Sequence, residues 1–241
     1  MYQFNAAKVR KNIVEWLRTL WHDERMSHVV IGISGGKDST VAAALCIEAF
    51  GPENVTGILM PNGKQKDIKD SYRVCQALNL PYEVIDVSPA CEAILQTVKA
   101  VSEEAAVNVP PRIRMTTLYA YAQTHHARVC GTGNLSERTL GYFTKWGDGA
   151  SDFNPLGNLT SLEVVAIGDT YKQIPTDLIH KTPHDGLGEL SDEEKLGISY
   201  ADVHAYLRDG CKKPAADVLQ NIMRRECASE HKRENIPMFL I

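Results

Sequence analysis

One short segment brings together residue types that suit the binding of a phosphorylated ligand: Gly32-Ile33-Ser34-Gly35-Gly36-Lys37-Asp38-Ser39. The paired glycines allow a tight turn and a close approach of the backbone to a ligand. Backbone amides at the start of a helix attract anions with the support of the helix dipole, and the two serines add hydroxyl donors. A carboxylate beside phosphates makes chemical sense mainly if it holds a metal ion. The segment therefore predicts a site for a nucleotide phosphate and its metal.

The order of these residues identifies the kind of phosphate loop. The segment matches neither the Walker A pattern nor G-x-G-x-x-G. It resembles the SGGxDS pyrophosphate loop of the ATP pyrophosphatase superfamily, whose members adenylate a substrate and release pyrophosphate. The alternative is a Gly-Gly turn capped by serine that binds nothing. The complete motif, between an apolar strand-like run and a helix-like run, argues against that alternative.

Motifs farther along the chain resemble those of one branch of this superfamily, the ammonia-dependent NAD synthetases. In chain order they are Arg112-Ile-Arg114-Met115, Gly131-Thr132-Gly133-Asn134, Glu137, residues 141–149 (GYFTKWGDG), Asp152, residues 196–200 (LGISY) and His231-Lys232-Arg233. The resemblance covers nearly the whole chain, and F-T-K-x-G-D-G is its most specific part.

The resemblance implies a reaction and a set of site residues. The reaction is the amidation of deamido-NAD to NAD with ammonia, through an acyl-adenylate formed from ATP with release of pyrophosphate and AMP. The residues that would bind ATP are those of the phosphate loop together with Thr132, Ser161 and His184. Magnesium would be held by Asp38 and Glu137, and deamido-NAD by Arg112, Lys145, Asp152, His231 and Lys232. Asp38, Glu137 and Asp152 are the candidate catalytic residues, and Asp152 is a candidate acceptor for the ammonium proton.

Two positions depart from the family pattern on the side that normally faces the ATP phosphates. Ser161 stands where the family usually has lysine, and His184 stands where it usually has serine or threonine. The missing lysine removes a positive charge, so Lys37, Lys172 or Lys181 would have to compensate. A histidine could do so only when protonated.

Two other functions remain open from the sequence. One is a different adenylating enzyme, such as the ATP-pyrophosphatase part of GMP synthetase or a tRNA thiolase. A thiolase would carry paired cysteines and a basic face, and the sequence shows neither. The other is a nucleotide-binding regulatory protein without catalysis, for which the two departures are the best support.

The pattern around these motifs predicts an α/β fold. Apolar runs at residues 28–33, 54–60, 82–87 and 127–132 are typical of buried parallel strands, and helix-like segments separate them. Predicted helices cover the amphipathic opening segment, the run after the phosphate loop, residues 67–78, a long stretch from about residue 88, and residues 112–126. This alternation predicts a Rossmann-like, doubly wound parallel sheet with helices on both faces.

Beyond Gly133 the pattern becomes less regular. Residues 141–158 and 182–199 are predicted to be loops. A capping box formed by Thr160 and Glu163 predicts a helix start, and helices are expected near residues 199–209 and 214–229.

Length and composition limit the remaining possibilities. The 241 residues predict a single domain spanning residues 1–241, with no glutaminase domain. The net charge of −4 and the lack of a basic stripe argue against nucleic-acid binding. No cysteine pair has C-x-x-C spacing, and no apolar run suits a signal peptide or a membrane span. We expect a cytoplasmic enzyme and, from the resemblance, a homodimer.

Overall fold

The fold is described from a computed structural model. It covers residues 2–20, 28–65, 68–99, 101–182, 191–208 and 214–239.

The centre of the fold is a four-stranded sheet among the described residues. Its strands are β1 (His28–Gly32), β2 (Val55–Leu59), β3 (Tyr82–Val84) and β4 (Ala127–Cys130). They lie in the order β3-β2-β1-β4 and every neighbouring pair is parallel. Val30 of the central strand is opposite Thr56 on one side and Val129 on the other. The β-branched residues of β1 are buried, as expected for a parallel strand covered on both faces.

Helices connect and extend the strands. In chain order they are α1 (Ala6–Thr19), α2 (Lys37–Phe50), α3 (Ile68–Leu78), α4 (Ser88–Thr97), α5 (Glu103–Val107), α6 (Val109–Thr124), α7 (Leu135–Leu140), α8 (Ser161–Gly168), α9 (Thr176–Ile179), α10 (Asp192–Leu196), α11 (Tyr200–Arg208) and α12 (Ala216–Ala228). Short 3-10 turns occupy Pro52–Asn54 and Glu230–Lys232. Within the described ranges, no helix has both the length and the apolar character that a membrane span needs.

Helices cover both faces of the sheet, which confirms the predicted doubly wound α/β fold. Val29 and Ile31 of β1 pack into a core shared with α1, α2, α3 and α8. The alternate residue Val30 points to the opposite face, where it packs with Ala122 of α6 and Val129 of β4. A third apolar cluster, separate from the sheet, joins α7, α10, α11 and α12 through residues such as Leu140 and Ile222.

The strand order creates a crevice at one end of the sheet. From the central strand β1 the chain proceeds outward to β2 and β3 on one side, whereas β4 is added on the other side. The loops that follow β1 and β4 therefore diverge, and ligands of open α/β sheets bind at such a switch point, outside the carboxyl ends of the strands. The phosphate loop follows β1 and residues 131–134 follow β4.

Three predicted boundaries were wrong in detail. The third strand ends at Val84 rather than at residue 87. The amides of Ile85 and Val87 still donate hydrogen bonds to the carbonyls of Leu59 and Pro61. Pro61 has no N–H group, so it cannot donate a hydrogen bond back to this segment and the regular strand pairing stops. The long helical stretch from residue 88 is divided into α4, α5 and α6, and α6 begins at Val109 rather than at residue 112. Residues 182–199 contain α10, which a capping box of Ser191 and Glu194 starts.

A buried ion pair ties α8 to α11. Glu163 is 1% exposed and accepts hydrogen bonds from Arg208 Nε at 2.9 Å and Arg208 Nη2 at 3.0 Å. It also accepts from Tyr2 Oη and from the Thr160 amide. Burial opposes the charge of Glu163, but the hydrogen bonds from Arg208 and Tyr2 outweigh it, so its pKa is lowered. The pair therefore stabilises the fold above the unfolded pKa of a glutamate, and this contribution is lost as the pH falls through the folded pKa.

We expect Arg208→Met to lower the free energy of unfolding by about 3 kcal/mol near neutral pH, because it leaves a buried carboxylate without its partner. Chemical denaturation measures this loss. Lys11→Met, which removes the exposed Lys11–Glu15 pair, is the control and should change little. Equal stability of the Arg208→Met variant and the unaltered chain would contradict the assigned role.

Candidate active site

The phosphate loop folds around its own hydroxyl groups. Ser34 Oγ accepts the Gly36 amide at 3.3 Å, and Ser39 Oγ donates to the Gly36 carbonyl at 3.1 Å. Gly35 has a φ of 81°, and a Cβ there would lie 2.8 Å from the Ser71 amide nitrogen. Only glycine fits this position without movement of α3, because both the dihedral angle and the close approach exclude a side chain.

The start of α2 is arranged to receive an anion. Gly36 is the N-cap, and no side chain in the described part of the protein caps the helix there. The first amides of a helix lack partners within the helix and carry the positive end of its dipole. They are open to a ligand at the carboxyl end of β1, which is the position that the sequence predicts for phosphates.

Asn134 joins the two loops of the crevice. This residue is fully buried, and its Nδ2 donates to Asp38 Oδ1 at 3.0 Å. Asn134 is also the N-cap of α7, in a capping box: its Oδ1 accepts the Glu137 amide at 3.1 Å, while Glu137 Oε2 accepts the Asn134 amide at 3.0 Å. Asn134 thereby contacts both acids that the sequence assigns to magnesium, the Asp38 carboxylate through its side chain and the Glu137 carboxylate through its backbone amide.

A buried ammonium lies beside these acids. Lys37 is 5% exposed, and its Nζ donates to Asp38 Oδ2 at 2.7 Å. Burial alone would lower the pKa of Lys37, but the charges of Asp38 and Glu137 outweigh burial, so the pKa is raised. Burial, followed by the negative charge of Asp38, raises the pKa of Glu137 above its ordinary value. A cation bound beside Glu137 would favour the charged form of this acid.

The donor set of the pocket fits magnesium. Among the described residues, no group of three or more His, Cys, Asp or Glu side chains is arranged to hold a metal by itself. Mg²⁺ is commonly bound by only one or two carboxylates together with substrate phosphates and water. Asp38 and Glu137 are a pair of carboxylates of this kind.

Four of the five residues predicted to bind deamido-NAD come together at the surface. Arg112, in the first turn of α6, donates to the Lys145 carbonyl at 3.3 Å. The Lys145 ammonium donates to the His231 carbonyl. Lys232 Nζ donates to the carbonyls of Gly141 and Phe143, at 2.7 and 2.8 Å. The cation cluster Arg112, Lys145, His231 and Lys232 thus links α6, the 141–158 segment and the chain after α12.

The fifth residue, Asp152, lies at the free edge of β4. Its Oδ2 accepts the Val129 amide at 2.8 Å and its own amide donates to the Val129 carbonyl at 3.0 Å. Its Oδ1 accepts from Tyr119 Oη at 3.2 Å. Asp152 therefore occupies the edge position that a further strand would take, with both carboxylate oxygens engaged, and its roles toward substrate and ammonium stay predictions.

The remaining predicted ATP residues have different surroundings. Thr132 is partly buried in the loop after β4. Ser161 is 2% exposed at the first turn of α8, where its amide donates to Ser136 Oγ at 3.1 Å. The backbone of Ser161 thus contacts α7. His184 falls outside the described residues.

The three lysines proposed to replace the missing charge differ in position. Lys181 Nζ donates to Asp70 Oδ2 at 2.6 Å, and Asp70 Cβ is 2.9 Å from where a Cβ on Gly35 would lie. Lys181 is therefore next to the phosphate loop. Lys172 donates instead to the Asp169 carbonyl after α8, and Lys37 is engaged with Asp38.

The sequence analysis missed two neighbours of this pocket, Asp192 and Tyr200. Both are buried, and the Asp192 charge contributes to the raised pKa of Lys37. The LGISY motif contains Tyr200, but nothing in the local pattern indicates that α10 and α11 fold back onto a helix more than 150 residues earlier.

Comparison with known proteins agrees with this arrangement. A sequence model described as NAD synthase matches residues 9–236. The NH3-dependent NAD synthetase of Carboxydothermus hydrogenoformans is 37% identical over 97% of this chain and 98% of its own length. Among solved structures, the NMN synthetase of Francisella tularensis aligns with a TM-score of 0.91 at 33% identity, over 99% of this chain and all of the other. The NH3-dependent NAD synthetase of Campylobacter jejuni aligns with a TM-score of 0.82 at 26% identity over the same shares.

These matches cover nearly the entire chain, and they include the sheet, both crevice loops and the cation cluster. They confirm the family that the motifs indicated and give no support to the other adenylating enzymes. The chain belongs to the NAD synthase family.

Proposed function

We propose that this chain is an ammonia-dependent ligase that uses ATP and Mg²⁺ to amidate the nicotinate carboxylate of deamido-NAD. The observation that carries the proposal is the convergence of a free helix N-terminus and the Asp38–Glu137 pair at the switch point of the sheet. A triphosphate with its metal complements a site that offers amides on one side and carboxylates on the other.

In the first step, the carboxylate of the substrate attacks the α-phosphate of ATP, and pyrophosphate leaves. Two anions must approach each other, so the barrier depends on neutralising the phosphates. The amides at the start of α2 do this directly. Asp38 and Glu137 would hold Mg²⁺, which when bound supplies positive charge to the phosphate oxygens.

In the second step, ammonia attacks the activated carbonyl of the acyl-adenylate, and AMP leaves. The chain's main contribution is to hold the two reactants in line, because the adenylate is already reactive. Thr132, in the loop after β4, and the phosphate loop would hold the adenylate. Asp152 is the proposed acceptor of the ammonium proton, with its carboxylate oriented by Tyr119 and the Val129 amide.

The nucleotide substrate would lie across the cation cluster. Its pyrophosphate and carboxylate are anionic, and Arg112 and Lys145 carry charged groups near the surface. Lys232 is held more firmly, by two carbonyl oxygens. By the family resemblance the active form would be a homodimer.

A second candidate substrate is nicotinate mononucleotide. The observation that favours it is the TM-score of 0.91 with the NMN synthetase of Francisella tularensis, against 0.82 with the NAD synthetase of Campylobacter jejuni. The chemistry at the carboxylate would be the same for both substrates. They differ only in the adenylyl part, which lies far from the reacting group.

The assay that tests the function supplies ATP, Mg²⁺ and ammonium with either deamido-NAD or nicotinate mononucleotide, and detects the amide product and pyrophosphate. We expect product from deamido-NAD with ammonium alone. Asp38→Asn should lower kcat/KM by about 100-fold or more, since it removes a charged metal ligand. Asp169→Asn, at an exposed acid paired with His180, is the matched control and should be unaffected.

Faster turnover of nicotinate mononucleotide would establish the second candidate in place of the first. Absence of product from both substrates, or full activity of Asp38→Asn, would contradict the proposed function.

Lys37→Met tests whether the Lys37 ammonium neutralises the same acids that would bind Mg²⁺. Without metal, the variant should have a lower free energy of unfolding, because the partly buried Asp38 carboxylate loses its partner. Mg²⁺ should then raise its Tm by more than it raises the Tm of the unaltered chain, since the ion no longer competes with an ammonium. Thermal unfolding with and without Mg²⁺ measures both effects, and an equal or smaller Mg²⁺ effect on the variant would refute the idea.

Lys181→Met tests whether Lys181 supplies the positive charge that is missing because Ser161 stands where the family usually has lysine. We expect the KM for ATP to rise about tenfold, which corresponds to roughly 1.4 kcal/mol of lost phosphate contact. Lys172→Met is the control, because its ammonium is bound to the Asp169 carbonyl after α8. Steady-state kinetics at varied ATP would reject the assignment if both variants behaved alike.

A further inference from the structure

The hydroxyl group of Tyr200 is buried without a hydrogen-bond partner. Tyr200 is 4% exposed, and its Oη is one of two side-chain polar atoms that are buried and unpartnered in the described part of the chain. Buried polar groups are nearly always hydrogen-bonded, because leaving one unsatisfied is destabilising. A buried hydroxyl without a partner, next to a binding pocket, suggests that the bound ligand supplies its hydrogen-bond partner.

The orphaned hydroxyl belongs to the acidic pocket. The Lys37 ammonium, which pairs with Asp38, lies 5.5 Å from the centre of the Tyr200 ring. Burial raises the pKa of Tyr200 far above its ordinary value, and the negative charges of Glu137, Asp192 and Asp38 raise it further. The hydroxyl is thus a neutral hydrogen-bond donor in a pocket lined by acids. A cation bound there would bring its ligand oxygens close to this donor.

The neighbouring helix α10 and the turn into α11 fix the backbone of Tyr200. The Tyr200 amide donates to Glu193 Oε1 at 2.6 Å, so the start of α11 is tied to α10. Gly197 ends α10 in the left-handed conformation, with φ at 63°, and lets the chain turn into α11. Leu196 and Ile198 on either side of it are buried in the third apolar cluster. The Tyr200 backbone is therefore held in position at the start of α11.

We propose that the Tyr200 hydroxyl donates a hydrogen bond to an oxygen of the metal–phosphate group held by Asp38 and Glu137. That oxygen is either a phosphate oxygen of ATP or a water bound to the metal. The assignment rests on the proposed function, and it adds a residue from the C-terminal helices to a site otherwise built from the loops after β1 and β4. Tyr200 would thereby couple the packing of α10 and α11 to the binding of the phosphates.

The test compares Tyr200→Phe with Tyr171→Phe. Tyr171 is a matched control, because it is 3% exposed but its hydroxyl has a partner, Glu48 Oε2 at 2.7 Å. Thermal unfolding gives the Tm of each metal-free variant. Calorimetry gives the affinity for Mg²⁺ alone and for Mg²⁺ with a non-hydrolysable ATP analogue.

Tyr200→Phe should keep or raise the Tm, since it removes an unsatisfied group, and should weaken ligand binding about tenfold, as expected for one lost hydrogen bond to a charged acceptor. A loss seen with Mg²⁺ alone identifies metal-bound water as the acceptor, and a loss seen only with the analogue identifies a phosphate oxygen. Tyr171→Phe should lower the Tm and leave both affinities unchanged.

Unchanged affinities in Tyr200→Phe would overturn the proposal, as would a loss of Tm as large as that of Tyr171→Phe. Because binding is measured without turnover, the result is separate from the amidation assay. If the unaltered chain binds the analogue but forms no amide, the proposed function fails, while the role of Tyr200 is still decided by the affinities.

Discussion

The buried positive charge of Lys37 is the interaction on which the candidate site depends. Asp38 and Glu137 are held close together by Asn134, and Asp192 adds a third acid to the surroundings. Acids that share a buried site repel one another, which raises the pKa of Glu137, and a nearby cation opposes this effect. Lys37 supplies that cation and pairs with Asp38 at 2.7 Å. Acids from α2, α7 and α10 can therefore surround one pocket without unfolding it.

The topology of the sheet explains why these acids meet. The phosphate loop and the Gly131–Asn134 segment follow adjacent strands, β1 and β4, that run in the same direction. Their carboxyl ends consequently lie side by side, although the two segments are almost 100 residues apart in sequence. The core beneath these loops is apolar, and the polar contacts of the site are made by the loops that follow the strands. The third apolar cluster then brings α10 and α11 against the same pocket.

How far the sequence predicts the site depends on the range of the contacts involved. The phosphate loop is a local motif, so its glycines, serines and Asp38 could be assigned from the sequence alone. The capping box between Asn134 and Glu137 is also local and would have indicated that this asparagine has a structural role. Tyr200 belongs to the family motif at residues 196–200, but the sequence does not predict its contact with Lys37, because that contact depends on how distant helices pack. The breaks between α4, α5 and α6 were missed because each of these segments has helical composition.

The distinction between local and long-range contacts also applies to the residues predicted to bind deamido-NAD. The cation cluster is fixed by backbone carbonyls, and Lys145 and Lys232 each use one or two of them. Such contacts depend on the course of the chain rather than on residue spacing. These residues were therefore predicted from the resemblance to the family and not from periodicity. Asp152, by contrast, closes the edge of β4 through its own backbone. Its carboxylate also accepts hydrogen bonds from the Val129 amide and from Tyr119, so the side chain is held at this edge.

The central claim is that the phosphate loop directs the carboxylate of the substrate to the α-phosphate of ATP. The most direct measurement uses deamido-NAD labelled with ¹⁸O in the nicotinate carboxylate and follows the label by mass spectrometry of the products. We expect one labelled oxygen to appear in AMP, because the acyl-adenylate joins that oxygen to the α-phosphate. Label in orthophosphate together with formation of ADP, or AMP free of label, would contradict it.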